Sequence, residues 1–208
     1  SPDLATLLEL AAMNTATINS KIPGIWPLRA LNRLRHLLRA NSKSGSRRNI
    51  AFHYDLGNAF YRHWLDPEMT YSSALYAHPD QTLEDAQAAK VKRVLELLDL
   101  SGGEDVLEIG CGWGALAVTL AHTSARVTGI TLSSEQLAFA QEKVASEGLN
   151  KCITLELKDY RDVEGTYDRI VSIEMLEAVG EAYWPIYFKT LHERLNAGGA
   201  AVLQVITI

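Results

Sequence analysis

The run Val106–Leu107–Glu108–Ile109–Gly110–Cys111–Gly112–Trp113–Gly114 carries an apolar strand into a glycine turn at the start of a helix. Glycines at such a turn tolerate positive φ and let a ligand approach the backbone, while the helix N-terminus offers free N–H groups and partial positive charge. Two ligand classes use a turn of this kind. Gly110, Gly112 and Ala115 satisfy the dinucleotide fingerprint, which accepts Ala in third place. Glu108, however, stands two residues before the first glycine, where a carboxylate suits a cationic amino group better than a pyrophosphate. A dinucleotide site also expects an acid about 20 residues further on for the ribose hydroxyls. Here that stretch reads Gly129–Ile130–Thr131–Leu132–Ser133, with no acid before Glu135. The balance favours a methyl-donor cofactor over a dinucleotide.

A second candidate set lies further along. Glu174 and Glu177 follow an apolar run that reads as a strand, at the end of the sheet where ligands bind in open α/β folds. Three residues apart, they share a side if that turn is helical. Glu174 also reads as an ordinary surface or capping carboxylate. The six histidines are scattered and no His/Cys/Asp/Glu group has metal-ligand spacing, so a metalloenzyme is not expected.

From Thr82 onward, segments of strand and helix character alternate, the pattern of a parallel sheet covered on both faces. A helix runs through Lys90–Leu98 and stops at Ser101–Gly102–Gly103. Strands are expected at 105–109, 126–131, 153–157, 167–173 and 200–207, with helices through 116–121, from the Ser133/Ser134 cap to Glu147, and over 182–195. Residues 82–208 therefore form the cofactor-binding domain. Ahead of it lie an aromatic-rich segment, 49–81, expected to lid substrate and cofactor, and a helical arm with a polar linker, 1–48.

The chain has 208 residues, 47% of them apolar, enough for one sizeable core plus an appendage. No apolar run reaches the roughly 20 residues of a spanning helix, and the first ten residues lack a secretory layout. Two cysteines, Cys111 and Cys152, give no disulfide framework and fit a reducing cytosol. Residues 1–48 carry eight Lys/Arg against Asp3 and Glu9, a net +6, which leaves −11 for the rest of a chain whose total is −5. A basic arm on an acidic body points to an anionic partner for the arm. Its Leu28–Arg39 stretch alternates leucines with Arg29, Arg33, Arg35 and Arg39. That pattern suits an amphipathic helix on an anionic bilayer, and equally a leucine stripe packed on the catalytic domain with solvated arginines. Nucleic-acid binding is not expected, because no aromatics interleave the arginines.

Six segments together resemble the cyclopropane-fatty-acyl-phospholipid synthase family, including the mycolic acid cyclopropane synthases. They are His53–Asn58 (HYDLGN), Trp64–Pro67 (WLDP), Met69–Ala74 (MTYSSA), Leu107–Gly114 (LEIGCGWG), Gly129–Ser133 (GITLS) with Gln136, and Ser172–Gly180 (SIEMLEAVG). The similarity covers about residues 49–208. It implies a Rossmann-like S-adenosylmethionine methyltransferase sheet of order 3-2-1-4-5 and transfer of a methyl or methylene unit to the double bond of an unsaturated phospholipid acyl chain. By the same resemblance, Tyr54, Tyr71 and Ser72 close over the methionine end of the cofactor, and Gly110, Gly112 and Gly114 belong to the turn that packs on it. Thr131, Leu132 and Gln136 reach ribose and adenine, and Tyr160, beside Asp159, flanks adenine. Glu108 and Glu174 complete the expected cofactor set.

The family's essential glutamate falls on Glu177, where it helps hold a bicarbonate ion that acts as base. Ser73 and Gln204 stand where family members commonly carry cysteine and histidine, and Ala178 where some carry histidine. A bicarbonate cage would then rest on Ser73, Glu177, Gln204 and the backbone near Ile206, with the product left open between ring, methyl branch and methylene. The family's fold continues past strand five with two more strands and a further tyrosine of the bicarbonate site. The chain is accordingly expected to be a fragment. Cytoplasmic location with peripheral membrane contact is the matching expectation, and a homodimer is left open. The alternatives are a methyltransferase for a non-lipid small molecule and an inert lipid-binding paralogue.

Overall fold

The computed structural model describes residues 57–207 continuously, together with Asp3, Thr6, Glu9, Leu10, Met13 and Asn14 near the start. The basic Leu28–Arg39 stretch and Tyr54 lie outside the described residues. The chain divides into two compact units, Ser1–Ala40 and Asn41–Ile208.

In the second unit a short helix α1 (Asn58–Tyr61) is followed by an irregular strap and then α2 (Leu83–Leu98). α2 begins seven residues before the stretch expected from its apolar spacing because Thr82 caps it: its hydroxyl oxygen accepts from the Asp85 N–H, and Glu84 and Asp85 place negative charge in the first turn. Ala86, Gln87, Lys90, Val94 and Leu98 form its buried stripe. Then come β1 (Asp105–Ile109), α3 (Ala115–His122), β2 (Arg126–Thr131), α4 (Ser134–Ser146), β3 (Ile153–Leu157) and β4 (Tyr167–Ile173). A short α5 (Leu176–Val179), α6 (Trp184–Arg194) and β5 (Leu195–Gln204) follow.

The sheet is parallel throughout, in the order β3-β2-β1-β4-β5. β1 is central, pairing Leu107 with Thr128 on one side and with Ile170 on the other. Successive strand residues face opposite ways, so Val106 joins a core with Leu98, Leu120, Val127 and Val144, whereas Leu107 and Ile109 join one with Ile130, Ile170, Tyr187 and Leu191. Both faces are thus covered by helices, as a parallel sheet built from crossover connections requires. β5 differs from expectation at both ends. It starts at Leu195, with residues 196–199 taken up as an irregularity between the Tyr167↔Leu195 and Arg169↔Ala200 pairs. It stops at Gln204, three residues short of Thr207.

Candidate active site

The crossovers lead from β1 to β2 and β3 on one side and to β4 and β5 on the other, and a crevice opens beside such a reversal at the carboxyl ends of the strands. Here it is a cleft of about 540 Å³ walled by the glycine turn, the ends of β2 and β4, one side of α2 and the strap residues Met69–Ser72.

Glu108 is the most informative wall residue. It is 4% exposed, and among the described residues its Oε2 meets no hydrogen-bond partner. Burial pushes its carboxyl up to about 8, because a charge without a partner is costly in a low-dielectric interior. An acid so placed calls for a cationic donor in the cleft. Cys111, beside it, is pushed well up by burial and by Glu108, so its thiol is no nucleophile. At Gly112 (φ +51°) a Cβ would meet no protein atom within 4 Å, which leaves that side of the turn open to a ligand. Gly110 lines the cleft against Met175, whose sulfur fills the space a Cβ would need.

At the β2 end, Thr131, Leu132 and Gln136 line the cleft, with the Thr131 hydroxyl donating to Gln136 Oε1 at 3.0 Å. Ser133 fixes this corner by capping α4, its oxygen accepting from the Gln136 N–H. Tyr160 lines the same wall, and its buried hydroxyl has no hydrogen-bond partner among the described residues. Tyr71 and Ser72 also line the cleft. The strap that carries them is tied down at several points. Trp113 Nε1 donates to Asn58 Oδ1 at 2.7 Å, Lys143 pairs with Glu68 at 2.5 Å, and Gln87 Nε2 donates to the carbonyls of Thr70 and Ser72. Tyr61, Met69 and Trp113 form a small apolar cluster beneath it.

Two expected ligand residues stand elsewhere. Gly114 (φ +88°) is not in the cleft wall; a Cβ there would lie 2.9 Å from that of Ala140, so the glycine lets α3 start against α4. Asp159 is buried and engaged by Arg161 through Nε at 2.7 Å and Nη2 at 2.6 Å, away from the cleft. Arg161 in turn lies over the rings of Tyr160 and Tyr183, so Asp159 orients the aromatic wall through it.

Glu174 and Glu177 both line the cleft but do not share one helix. Glu174 precedes α5 with a left-handed backbone (φ +52°), an uncommon conformation for a side-chain-bearing residue, held by its N–H donating to the Gln204 carbonyl at 2.8 Å. Its Oε1 accepts from the Ser73 N–H at 2.9 Å, from the Ser73 hydroxyl and from Gln204 Nε2 at 3.0 Å. Ser73 and Gln204 therefore reach the cleft through Glu174: the donors expected to cage bicarbonate are taken by a carboxylate of the chain itself. Glu177 Oε1 accepts from the Ile206 N–H. Behind them, the Tyr187 hydroxyl donates to Ser172 Oγ at 2.6 Å, and burial raises Tyr187 to about 12, so it remains a neutral prop.

Lys90 and Met175 are wall residues that sequence reasoning did not single out. The signal for Lys90 was present: it interrupts the apolar stripe of α2 with a charge.

The family description for mycolic acid cyclopropane synthetase matches residues 41–208, four-fifths of the chain. The chain belongs to the mycolic acid cyclopropane synthetase family. Among curated members, it is 42% identical to the tuberculostearic acid methyltransferase UfaA1 of Mycobacterium tuberculosis, over 81% of this chain and 41% of that protein. It is 44% identical to the cyclopropane-fatty-acyl-phospholipid synthase of Escherichia coli, over 74% of this chain and 39% of that one. Among solved members of the family, the cyclopropane synthase MmaA2 of Mycobacterium tuberculosis superposes with a TM-score of 0.74 at 36% identity, covering 77% of this chain and 57% of that one. The mycolic acid cyclopropane synthase CmaA1, crystallised with SAH and CTAB, superposes with a TM-score of 0.72 at 35% identity, over 76% and 55%. The chain thus spans about two-fifths of the length of the curated relatives named here.

Proposed function

We propose that the protein is an S-adenosylmethionine-dependent methyltransferase acting on the double bond of an unsaturated acyl chain carried by a phospholipid, with 82–208 as cofactor domain, 49–81 as lid and 1–48 as a basic arm. The observation that carries the reading is the pair of carboxylates on one cleft wall: Glu108, buried with an unpartnered oxygen, and Glu174, held by three donors. The first suits the cationic amino-acid end of the cofactor, with the open side of Gly112 leaving room for it and Thr131, Gln136 and Tyr160 beside the nucleoside. When bound, S-adenosylmethionine supplies a methyl group on a sulfonium, electrophilic enough for so weak a nucleophile as an alkene.

The chain's own residues have two remaining tasks. Methylation of an alkene leaves positive charge on the acyl carbon, and a carboxylate close by offsets it in a site from which water is excluded. A base must then take one proton: from the new methyl group, giving a ring directly or, once a hydride shift has moved the charge to the methyl-bearing carbon, a methylene branch; or from a neighbouring chain carbon, giving an alkene with a methyl branch. We assign this base to Glu174. Its Oε1 accepts three hydrogen bonds from the groups expected to hold bicarbonate, and its other oxygen is left for the proton. Bicarbonate at Glu177 is the second reading, favoured by the Ile206 N–H beside that carboxylate. Peripheral contact with an anionic membrane is the finer part of the proposal and rests on the +6 charge of residues 1–48.

Mass spectrometry of lipids from cells expressing the whole protein, fed methyl-labelled methionine, tests the reading. A labelled one-carbon gain in unsaturated acyl chains is expected, and fragmentation assigns ring or branch. Glu174→Gln should abolish the gain while S-adenosylhomocysteine still binds. Full activity of that variant assigns the base to Glu177 and bicarbonate. No labelled lipid from the wild type, despite cofactor binding, moves the substrate outside lipids.

A further inference from the structure

Lys90 is 6% exposed, yet among the described residues its ammonium meets a single hydrogen-bond partner, the Ser72 hydroxyl oxygen at 2.6 Å. Among the described residues no carboxylate lies within 4.0 Å of it. The two acids whose charge it feels are Glu174 and Asp66. Both are engaged elsewhere: Glu174 Oε1 by Ser73 and Gln204, and Asp66 by the Thr70 N–H at 2.6 Å and the Thr70 hydroxyl at 3.3 Å. A buried cation held this way is costly unless something anionic completes its shell.

The hydrogen-bond inventory fixes the direction of the contact. An ammonium has three donors and no acceptor, so the Ser72 oxygen accepts, and its one O–H hydrogen must be given to another group. Ser72 and Lys90 both line the cleft. Holding the strap does not need the charge, because Gln87, one turn earlier on α2, already donates to the carbonyls of Thr70 at 3.2 Å and Ser72 at 2.8 Å. Across the same cleft Glu108 offers an oxygen without a donor. One wall thus lacks a cation and the other an anion, the complement of a zwitterionic amino acid.

We propose that Lys90 and Ser72 form a carboxylate-binding subsite, in which the ammonium sets the Ser72 hydroxyl as a donor to the α-carboxylate of the cofactor while Glu108 receives the α-ammonium. This rests on the reading of the cleft as an S-adenosylmethionine site. It adds Lys90 to that site as a charged recognition element contributed by the helix ahead of the sheet.

Calorimetry on the whole protein with two probes tests it: S-adenosylhomocysteine, which keeps the amino-acid end, and methylthioadenosine, which keeps the nucleoside and sulfur but lacks that end. Lys90→Met should weaken S-adenosylhomocysteine by about 10- to 100-fold, as expected for a charge-assisted hydrogen bond, and leave methylthioadenosine within about twofold. Ser72→Ala, which removes one oxygen and threatens the fold least, should show the same selectivity. The double variant should lose little beyond Lys90→Met, because the two groups act as a unit. Equal weakening of both probes in Ser72→Ala and Lys90→Met, or no weakening of either, overturns the subsite. Failure of the wild type to bind S-adenosylhomocysteine at all overturns the cofactor reading itself, and the subsite with it.

Discussion

Glu108 and Lys90 are buried titratable groups on one cleft, and their shifts have opposite consequences for stability. Burial raises Glu108 from 4.5 to about 8, so between those values the native protein holds a proton that the unfolded chain has released. Its contribution is complete below 4.5 and is lost as pH rises to about 8. Lys90 is lowered from 10.5 to about 8, chiefly by burial and against the opposing pull of Glu174 and Asp66. Between those values the unfolded chain holds the extra proton, so stability recovers as pH rises from about 8 to 10.5. Thermal unfolding of the ligand-free protein should therefore show a shallow minimum near pH 8. Glu108→Gln should flatten the limb below the minimum, and Lys90→Met the limb above it. A melting temperature that passes through this range without a minimum, unchanged by either substitution, would show that neither group is buried as the structure has it.

At the scale of elements, the glycine turn separates two jobs that its sequence spells identically. Gly112 faces open space, whereas Gly114 is pressed against α4. An alanine at 114 must adopt φ +88° and bring its Cβ within 2.9 Å of Ala140 Cβ. Left-handed strain and the forced shift of α4 together should cost about 2 to 4 kcal/mol. Gly114→Ala should lower the unfolding free energy measured by denaturant titration by that amount, with nucleoside affinity retained in the protein that remains folded. A loss of affinity without a loss of stability would instead return Gly114 to the cofactor. The same distinction explains what could be read in advance. β1, β2, β3 and β4 appear at their expected residues because short runs rich in Val, Ile, Leu and Thr recur between segments of helical pattern. The glycine turn and the Thr131–Gln136 corner were legible because the backbone itself imposes those residue types. The start of α2 depends on a cap rather than on a period. The role of Ser73 and Gln204 depends on which carboxylate reaches them first, a matter of a left-handed residue at 174 that spacing alone does not reveal. Lys90 was overlooked because a lysine on a helix usually reads as solvated, although its place within the apolar stripe of α2 marked it for the buried side.

The molecule as a whole has its charge unevenly divided, with +6 in residues 1–48 and −11 in the remainder. If the protein acts on phospholipid acyl chains as proposed, it meets its substrate at an anionic surface that repels an acidic body, and a cationic arm would offset that repulsion. Each Lys or Arg near such a surface contributes about 1 kcal/mol, and the attraction fades within a Debye length, about 10 Å at moderate salt. Replacing Arg29, Arg33, Arg35 and Arg39 with glutamine removes four of the eight basic residues. Sedimentation with vesicles containing an anionic phospholipid should show binding fall at least about tenfold. The wild type should lose affinity as salt is raised, and the variant should be nearly indifferent to it. Affinity for S-adenosylhomocysteine should be equal in the two proteins, because the substituted residues lie in the first compact unit and the cleft lies in the second. Undiminished vesicle binding by the variant would assign the leucines of 28–38 to packing within the protein, and would leave delivery of the acyl chain to a surface other than the arm.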